Sequence, residues 1–355
     1  MDIRPIPLQR LRSQQLEQTQ LRLPPDVVNW MVAVQAQDYA GAKWSLGLRL
    51  PKSTDLEIEQ SISDKAILRS WVLRGTLHFV TSSDLNWLLQ LVGPGVIAGN
   101  TRRYRELELD EATLKRSNDL LARTLQREEL LTRKELLSIL RQNGISTEGQ
   151  RGVYMLQRAS LDGLICQGVM RANNPTFMRM EGFASGTMAR AEALAELARR
   201  YFTSHGPATL QDFTWWSGLR AAEARDGLES IQSELLHDTV EGKTYWWAAS
   251  SSPFGRRQQS VLLLPGFDEF LLAYRDRSAS LGVANYNQLA STGGMLPGTI
   301  VIGGKVVGTW KRTIKKGSVI IDIHPFKGFS PVEDAGLVSA GKRLGEYLGL
   351  EAVLQ

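Results

Sequence analysis

Residues 132–142 read Thr132-Arg-Lys-Glu135-Leu-Leu-Ser-Ile-Leu140-Arg-Gln142. The Thr-x-x-Glu spacing is that of a capping box, in which two side chains satisfy free amides at a helix start, and Leu136, Leu137 and Leu140 follow as one apolar face. Asn143-Gly144 ends that helix. From Gly152 to Ile165, the spacing of Tyr154, Leu156, Ala159 and Leu161 predicts another helix. Val169-Met-Arg171 and Thr176-Phe-Met178 then flank Ala172-Asn-Asn-Pro175, a turn-rich tip between two strands. This order of elements is the plan of a winged helix-turn-helix, with 152–165 as recognition helix and 169–178 as wing.

The order recurs on both sides. Downstream, a helix starts at about Thr187 and runs through Leu194, Leu197, Tyr201 and Phe202 to Ser204-His-Gly-Pro207, where Gly and Pro stop it. Thr209-Leu-Gln-Asp212 restarts one, Phe213, Trp215 and Trp216 give it a bulky face, and Leu219 to Ile231 supplies a third. Leu235–Val240 and Lys243–Trp247, joined through Glu241-Gly242, form the wing. The upstream copy is less regular: a helix from about Pro25, another opened by Thr54-Asp-Leu-Glu57, and strands on either side of Arg74-Gly75.

After residue 250 the character changes. Thr299–Ile302, Gly303-Gly304 and Lys305–Trp310 carry a hairpin signal, and Ser318–Ile323 adds a strand. Ser330-Pro-Val-Glu333 combines an N-cap, a first-turn proline and a capping-box Glu, opening a last helix to about Leu348. The expected fold class is α+β, with three tandem winged helix-turn-helix units and a small C-terminal barrel or sheet. The expected divisions are 1–125, 126–185, 186–250 and 251–355.

Composition bounds the function. The 355 residues are 43% hydrophobic, enough for a substantial core, and 42 Lys and Arg against 37 Asp and Glu give a net charge of +5. That balance permits a polyanionic partner without requiring one. Cys166 is the only cysteine, which excludes a disulfide framework, and its apolar surroundings suit a buried structural thiol. The amino terminus lacks the basic and apolar regions of a secretory signal and no run reaches the length of a membrane span, so a cytoplasmic protein is expected.

Winged helices bind duplex DNA, and the same plan also serves as a protein-docking module. Thr101-Arg102-Arg103-Tyr104-Arg105 and Phe254-Gly-Arg256-Arg257 concentrate positive charge on expected loops, and Arg151 and Arg158 lie on the middle recognition helix, making these seven arginines candidate DNA contacts. Each also fits an ordinary solvated face. His78, His205, His237 and His324 are too scattered for a metal site, so no metal or cofactor is expected. Asp268-Glu269 is a carboxylate pair that suits Mg²⁺ or base chemistry, but pairing with Arg275 or Arg277 at an interdomain junction is the stronger expectation.

One further stretch, Met31-Val-Ala-Val-Gln35-Ala36-Gln37-Asp38, places two amides where an apolar helix is expected to continue. Gln35 follows Met31 by four residues and shares its inner face, so its amide needs hydrogen-bond partners; leaving it unpaired costs about 1–3 kcal/mol. Gln37 lies about 200° further round an ideal helix, so the two amides converge only where that helix ends or deforms. On local evidence alone, Gln35 as a structural bridge and Gln37 as a surface residue is the stronger expectation.

Gln35-Ala-Gln37, Arg74-Gly-Thr-Leu-His78, Ser204-His-Gly-Pro-Ala-Thr209, Asp212-Phe-Thr-Trp-Trp-Ser-Gly218, Phe267-Asp-Glu-Phe-Leu-Leu272 and Val307-Gly-Thr-Trp310, in that order, resemble the AlkZ-like bacterial winged-helix DNA glycosylases. The resemblance runs along almost the whole chain. It implies tandem winged helices arranged as a C-shaped, basic concave surface. It also implies excision of alkylated purines such as N7-alkylguanine from double-stranded DNA and, in some members, unhooking of interstrand crosslinks. The family's catalytic Gln-apolar-Gln motif falls on Gln35 and Gln37, with Asp38 as a rival base. A monomeric, monofunctional glycosylase follows from this resemblance. The competing readings are a non-catalytic winged-helix DNA-binding protein or transcriptional regulator, and a protein-docking scaffold.

Overall fold

In the computed structural model, which describes residues 6–180, 188–249, 260–282 and 296–355, the capping boxes open helices. At Thr132 the hydroxyl accepts from Glu135 N–H at 3.3 Å, and the Glu135 carboxylate accepts from Thr132 N–H at 2.6 Å. The first region contains α1 (Ile6–Ser13), α2 (Pro24–Met31), β1 (Val34–Gln35), α3 (Tyr39–Leu48), α4 (Asp55–Ser63), β2 (Ile67–Trp71) and β3 (Leu77–Thr81). Two helices, α5 (Leu85–Gly99) and α6 (Thr101–Glu106), lead away from it. Thr101–Arg105 is therefore helical, not the loop expected for it: Asn100 O accepts from Tyr104 N–H at 2.8 Å and the helix runs to Glu106.

Next come α7 (Glu111–Arg127), β4 (Leu131–Thr132), α8 (Arg133–Gln142), α9 (Arg151–Leu161), β5 (Ile165–Arg171) and β6 (Asn174–Arg179). Ala172 and Asn173, both at positive φ, make the tight turn between β5 and β6. The following group is α10 (Arg190–His205), α11 (Leu210–Ser217), α12 (Ala221–Ile231), β7 (Leu235–Val240) and β8 (Lys243–Ala248). The expected N-cap Thr187 lies outside the described residues.

The last part comprises β9 (Val261–Leu264), α13 (Glu269–Leu272), α14 (Ser278–Leu281), β10 (Gly298–Ile302), β11 (Lys305–Lys315), β12 (Ser318–Pro325), α15 (Pro331–Leu348) and β13 (Glu351–Leu354). Its strands form a sheet in the order β13-β12-β11-β10-β9, antiparallel except for β12 with β13. A second sheet, β1-β3-β2-β5-β6-β4, joins the two upstream hairpins, and β2 meets β5 through one register pair, Arg69 with Gln167.

Among the described residues, three large apolar cores and a small fourth follow from these contacts. Leu114, Leu121 and Leu125 of α7 pack with Leu136 and Leu140 of α8 and Phe177 of β6. Each buried Leu contributes about 1.5–3 kcal/mol. A second core joins α5 to Tyr201, Phe213 and Trp216. The third unites Val27, Val28 and Met31 with Leu263, Trp310 and Leu344, so the amino-terminal region and the C-terminal sheet share one interior. Cys166 is fully buried, and burial pushes its thiol up to about 12. Among the described residues no helix is long and apolar enough to cross a membrane.

A buried ion pair locks that shared interior. Arg49, just after α3, donates from Nη1 and Nη2 to the two carboxylate oxygens of Asp268 at 2.9 and 3.0 Å. Asp268 also accepts from Ser45 Oγ at 2.6 Å and caps α13 by accepting from Phe270 N–H at 2.9 Å. Burial alone would raise its pKa, but the guanidinium and these donors hold the carboxyl below its ordinary value. Arg49, not the expected Arg275 or Arg277, is the bidentate partner of Asp268. Arg277 Nε donates to Leu271 O at 2.9 Å, and Arg275 presents its backbone N–H to Asp212. Because Arg49 has no access to water, Asp268→Ala should leave a buried unpaired cation and cost about 3–5 kcal/mol in urea unfolding; a loss below about 1 kcal/mol would show that the pair is incidental.

Candidate active site

The run Val27–Val34 looks helical in sequence, yet α2 stops at Met31. Val32 takes φ 66°, a left-handed value that a β-branched residue adopts only at a cost of about 1–3 kcal/mol, and redirects the chain. Gln35 therefore lies on β1 and not on the expected helix. Val34 pairs with Phe79 and Gln35 with His78, and Ala36 N–H continues the ladder to Leu77 O at 2.7 Å. The glutamine motif is a third strand laid beside the first hairpin.

Each peptide of the motif is held. Gln35 N–H donates to Glu269 Oε1 at 2.8 Å. The Arg69 guanidinium, from β2, donates through Nε and Nη2 to Ala36 O at 2.9 and 2.7 Å, and through Nη2 to Gln37 O at 3.4 Å. Gln37 N–H donates to Gln35 Oε1 at 3.3 Å, so the Gln35 amide presents its carbonyl oxygen to the next turn of the motif. Gln35 is buried and Gln37 exposed. Asp38 caps α3, its Oδ1 accepting from Gly41 N–H at 3.1 Å. Gly41 must be small here, since a Cβ would sit 2.4 Å from Asp38 Oδ2.

Asp38 and Gly41 form one edge of a groove of about 580 Å³ whose far side carries Trp310, Lys311 and Arg312 of β11. Behind the motif the surroundings are buried. Glu269 Oε2 accepts from Trp216 Nε1 at 3.1 Å and lies 3.9 Å from His205 Nε2. Burial raises Glu269 to about 7 and lowers His205 to about 3, so a neutral imidazole faces Glu269, not a salt bridge. His78, across from Gln35, is also held neutral by burial, with its pKa near 3; its Nδ1–H donates to Thr76 O at 2.9 Å.

Sequence reasoning paired the two glutamines with Asp38; it missed Arg69, and it named Glu269 and Trp216 without joining them to the glutamines, from which they stand far away in sequence. The Arg74-Gly75 and Asp268-Glu269 segments were the available signals. The proposed DNA-contact arginines divide. Arg102 and Arg105 are exposed, with Arg102 Nε 2.9 Å from Glu106; Arg103 bridges Glu106 and Gln150. Arg158 is committed to Asp162 and Glu111, and Arg151 to Ser146, Leu107 and Glu108 carbonyls. Arg256 and Arg257 lie outside the described residues. Among the described residues no group of three or more His, Cys, Asp or Glu is placed to hold a metal.

The family profile described as DNA glycosylase AlkZ-like matches residues 28–347. The chain belongs to that family. It is accordingly a DNA glycosylase by family. A relative from Streptomyces sahachiroi, named interstrand DNA cross-link repair glycosylase, is 26% identical over 323 residues, covering 85% of each chain. The solved Streptomyces sahachiroi DNA glycosylase AlkZ superposes with a TM-score of 0.83 at 21% identity, covering 100% of this chain and 99% of that one, and so shares its fold.

In this AlkZ-like chain the raised Glu269 pKa sets a pH dependence. The native carboxyl keeps its proton up to about pH 7, whereas the unfolded chain releases it near 4.5. Stability from this group is therefore full below about 4.5 and lost as pH rises to about 7. The buried histidines act with the opposite sign as pH falls through 6.5, but equally in wild type and in Glu269→Gln. The stability difference between these two proteins should change by roughly 2–3 kcal/mol across that window in urea titrations, the wild type losing ground as pH rises. A pH-independent difference would refute the assignment.

Proposed function

We propose that the chain hydrolyses the N-glycosidic bond of cationic N7-alkylated purines in double-stranded DNA, with Gln35 and Gln37 orienting the attacking water. The observation that carries this reading is the held backbone of the Gln-Ala-Gln motif, with the Gln35 amide oriented and Gln37 at the surface. Gln35 Oε1 is oriented by Gln37 N–H at 3.3 Å, and Gln37 stands at the surface next in sequence to Asp38, which lines the groove that also bears Lys311 and Arg312.

An amide cannot serve as a general base at neutral pH. It does not need to. An N7-alkylguanine carries a positive charge, so when the C1′–N9 bond breaks the electron pair neutralises the departing base, which needs no proton. The sugar left behind has oxocarbenium character. Amide carbonyl oxygens accept hydrogen bonds from water, hold it against C1′ and present partial negative charge to the developing cation; water then forms the new C–O bond and gives its proton to solvent.

We read the helix–helix–helix–hairpin groups as three tandem winged helices on a C-shaped, basic concave surface, acting as a monomer without a cofactor. The first division is better drawn near residue 100 than at 125, because Leu114, Leu121 and Leu125 share the core of α8. The arginines remain candidate phosphate contacts, Arg102 and Arg105 being exposed while Arg103, Arg151 and Arg158 are also bonded within the chain. An open groove suits bulky lesions better than a closed flipping pocket would. The name of the Streptomyces sahachiroi relative extends the proposal to interstrand crosslinks.

Base release from duplex DNA containing N7-methylguanine tests the reading. Release should exceed the spontaneous rate, and Gln35→Ala and Gln37→Ala should each lower it about 10²–10³-fold while retaining DNA affinity. Asp38→Asn should keep both the rate and the α3 cap, since Asn caps as well as Asp. Spontaneous release alone would end the enzymatic proposal, and a dead Asp38→Asn would transfer the role of base to Asp38.

A further inference from the structure

Arg69 is buried on β2, where a charged side chain needs a specific reason to be. Its donors are divided with a pattern. Three hydrogen bonds go to backbone carbonyls of the glutamine motif, two of them to Ala36 O, and the remaining Nη1 donates to Gln167 Oε1 at 2.8 Å. Neither carbonyl has a strand neighbour on that side, because β1 ends at Gln35. The guanidinium takes that neighbour's place.

The consequence runs along the peptide group. Ala36 C=O and Gln37 N–H belong to one amide. A cation donating to that oxygen polarises the N–H, which in turn donates to Gln35 Oε1 at 3.3 Å. One side chain therefore sets the orientation of the Gln35 amide through this relay and fixes the Cα of Gln37 through both adjoining carbonyls. The other end of the guanidinium reaches β5 at the register pair joining the first two hairpins. Tyr39, with its ring centroid 5.4 Å from the guanidinium and its hydroxyl bonded to Glu59 at 2.8 Å, closes the remaining face.

We infer that Arg69 is the positioning residue of the glutamine pair and that Gln167 ties this positioning to the second helix–hairpin group. The inference rests on the proposed role of Gln35 and Gln37. Lysine keeps the charge but cannot donate to Ala36, Gln37 and Gln167 in one plane. Gln167→Leu removes one acceptor without touching the motif.

Single-turnover base release from an N7-methylguanine duplex at saturating enzyme, with affinity for undamaged duplex and melting temperature measured alongside, tests it. Arg69→Lys should lower the rate roughly 10- to 100-fold and Gln167→Leu about threefold or more, with affinity within about twofold of wild type. In a Gln35→Ala background Arg69→Lys should lower the rate less than it does alone, because the amide that the relay orients is then absent. A wild-type rate in folded Arg69→Lys overturns the inference, as does an undiminished effect in that background. Should Arg69→Lys fail to fold, Gln167→Leu decides: a lowered rate at unchanged affinity supports the inference and a wild-type rate overturns it. If Gln37→Ala itself releases base like wild type, the reading of the glutamines fails and the Arg69 role falls with it. If Gln37→Ala is inactive while Arg69→Lys matches wild type, only the positioning role is lost.

Discussion

A guanidinium and a carboxylate shut away from water, Arg49 and Asp268, hold together parts of the chain 219 residues apart. Desolvation of both charges opposes the pair, and an apolar replacement of matched shape could stabilise the interior as well. What such a replacement would lack is direction. Asp268 binds both Nη atoms of Arg49 and also caps α13, so the angle at which α13 leaves the sheet is fixed relative to α3. The next residue, Glu269, is thereby aimed at Gln35 N–H and Trp216 Nε1. Through these two contacts the C-terminal segment touches both the glutamine strand and α11.

Much of this was legible in the sequence, for a physical reason. Capping boxes at Thr54, Thr132 and Ser330 are local, with each residue satisfying the other within one turn, so four letters suffice to place a helix start. The hairpin turns at Ala172-Asn173 and Glu241-Gly242 are local in the same way. Partnerships across the chain are not. Asp268 was expected to pair with a nearby arginine, and no pattern within ten residues of it points to Arg49. Arg69 carries no motif of its own, and its meaning depends on carbonyls 32 and 33 residues upstream. Arginine clusters show a related limit: charge density is visible in sequence, but the Glu111 and Asp162 that pair with Arg158 become visible only in the fold.

The glutamine motif shows what changes when a period is misread. On a helix, residues two apart diverge by about 200°, and the amides of Gln35 and Gln37 would need a deformation to meet. Here β1 ends at Gln35, so Gln35 stays buried on the strand while the chain beyond it brings the Gln37 backbone N–H to the Gln35 side chain. The left-handed turn at Val32 converts the first geometry into the second three residues before Gln35. The 3.3 Å bond between Gln35 Oε1 and Gln37 N–H is the product of that conversion. A hydrophobic run cannot announce such a switch, because Val27–Val34 is equally suitable for a buried helix and for a helix followed by a buried strand. The strained valine is the hinge between them, held because its side chain is packed in the second core with Leu68 and Val80. Strain at this point is what brings the buried Gln35 carbonyl oxygen to the Gln37 peptide, and the packing around Val32 is accordingly as much a part of this arrangement as the amide itself.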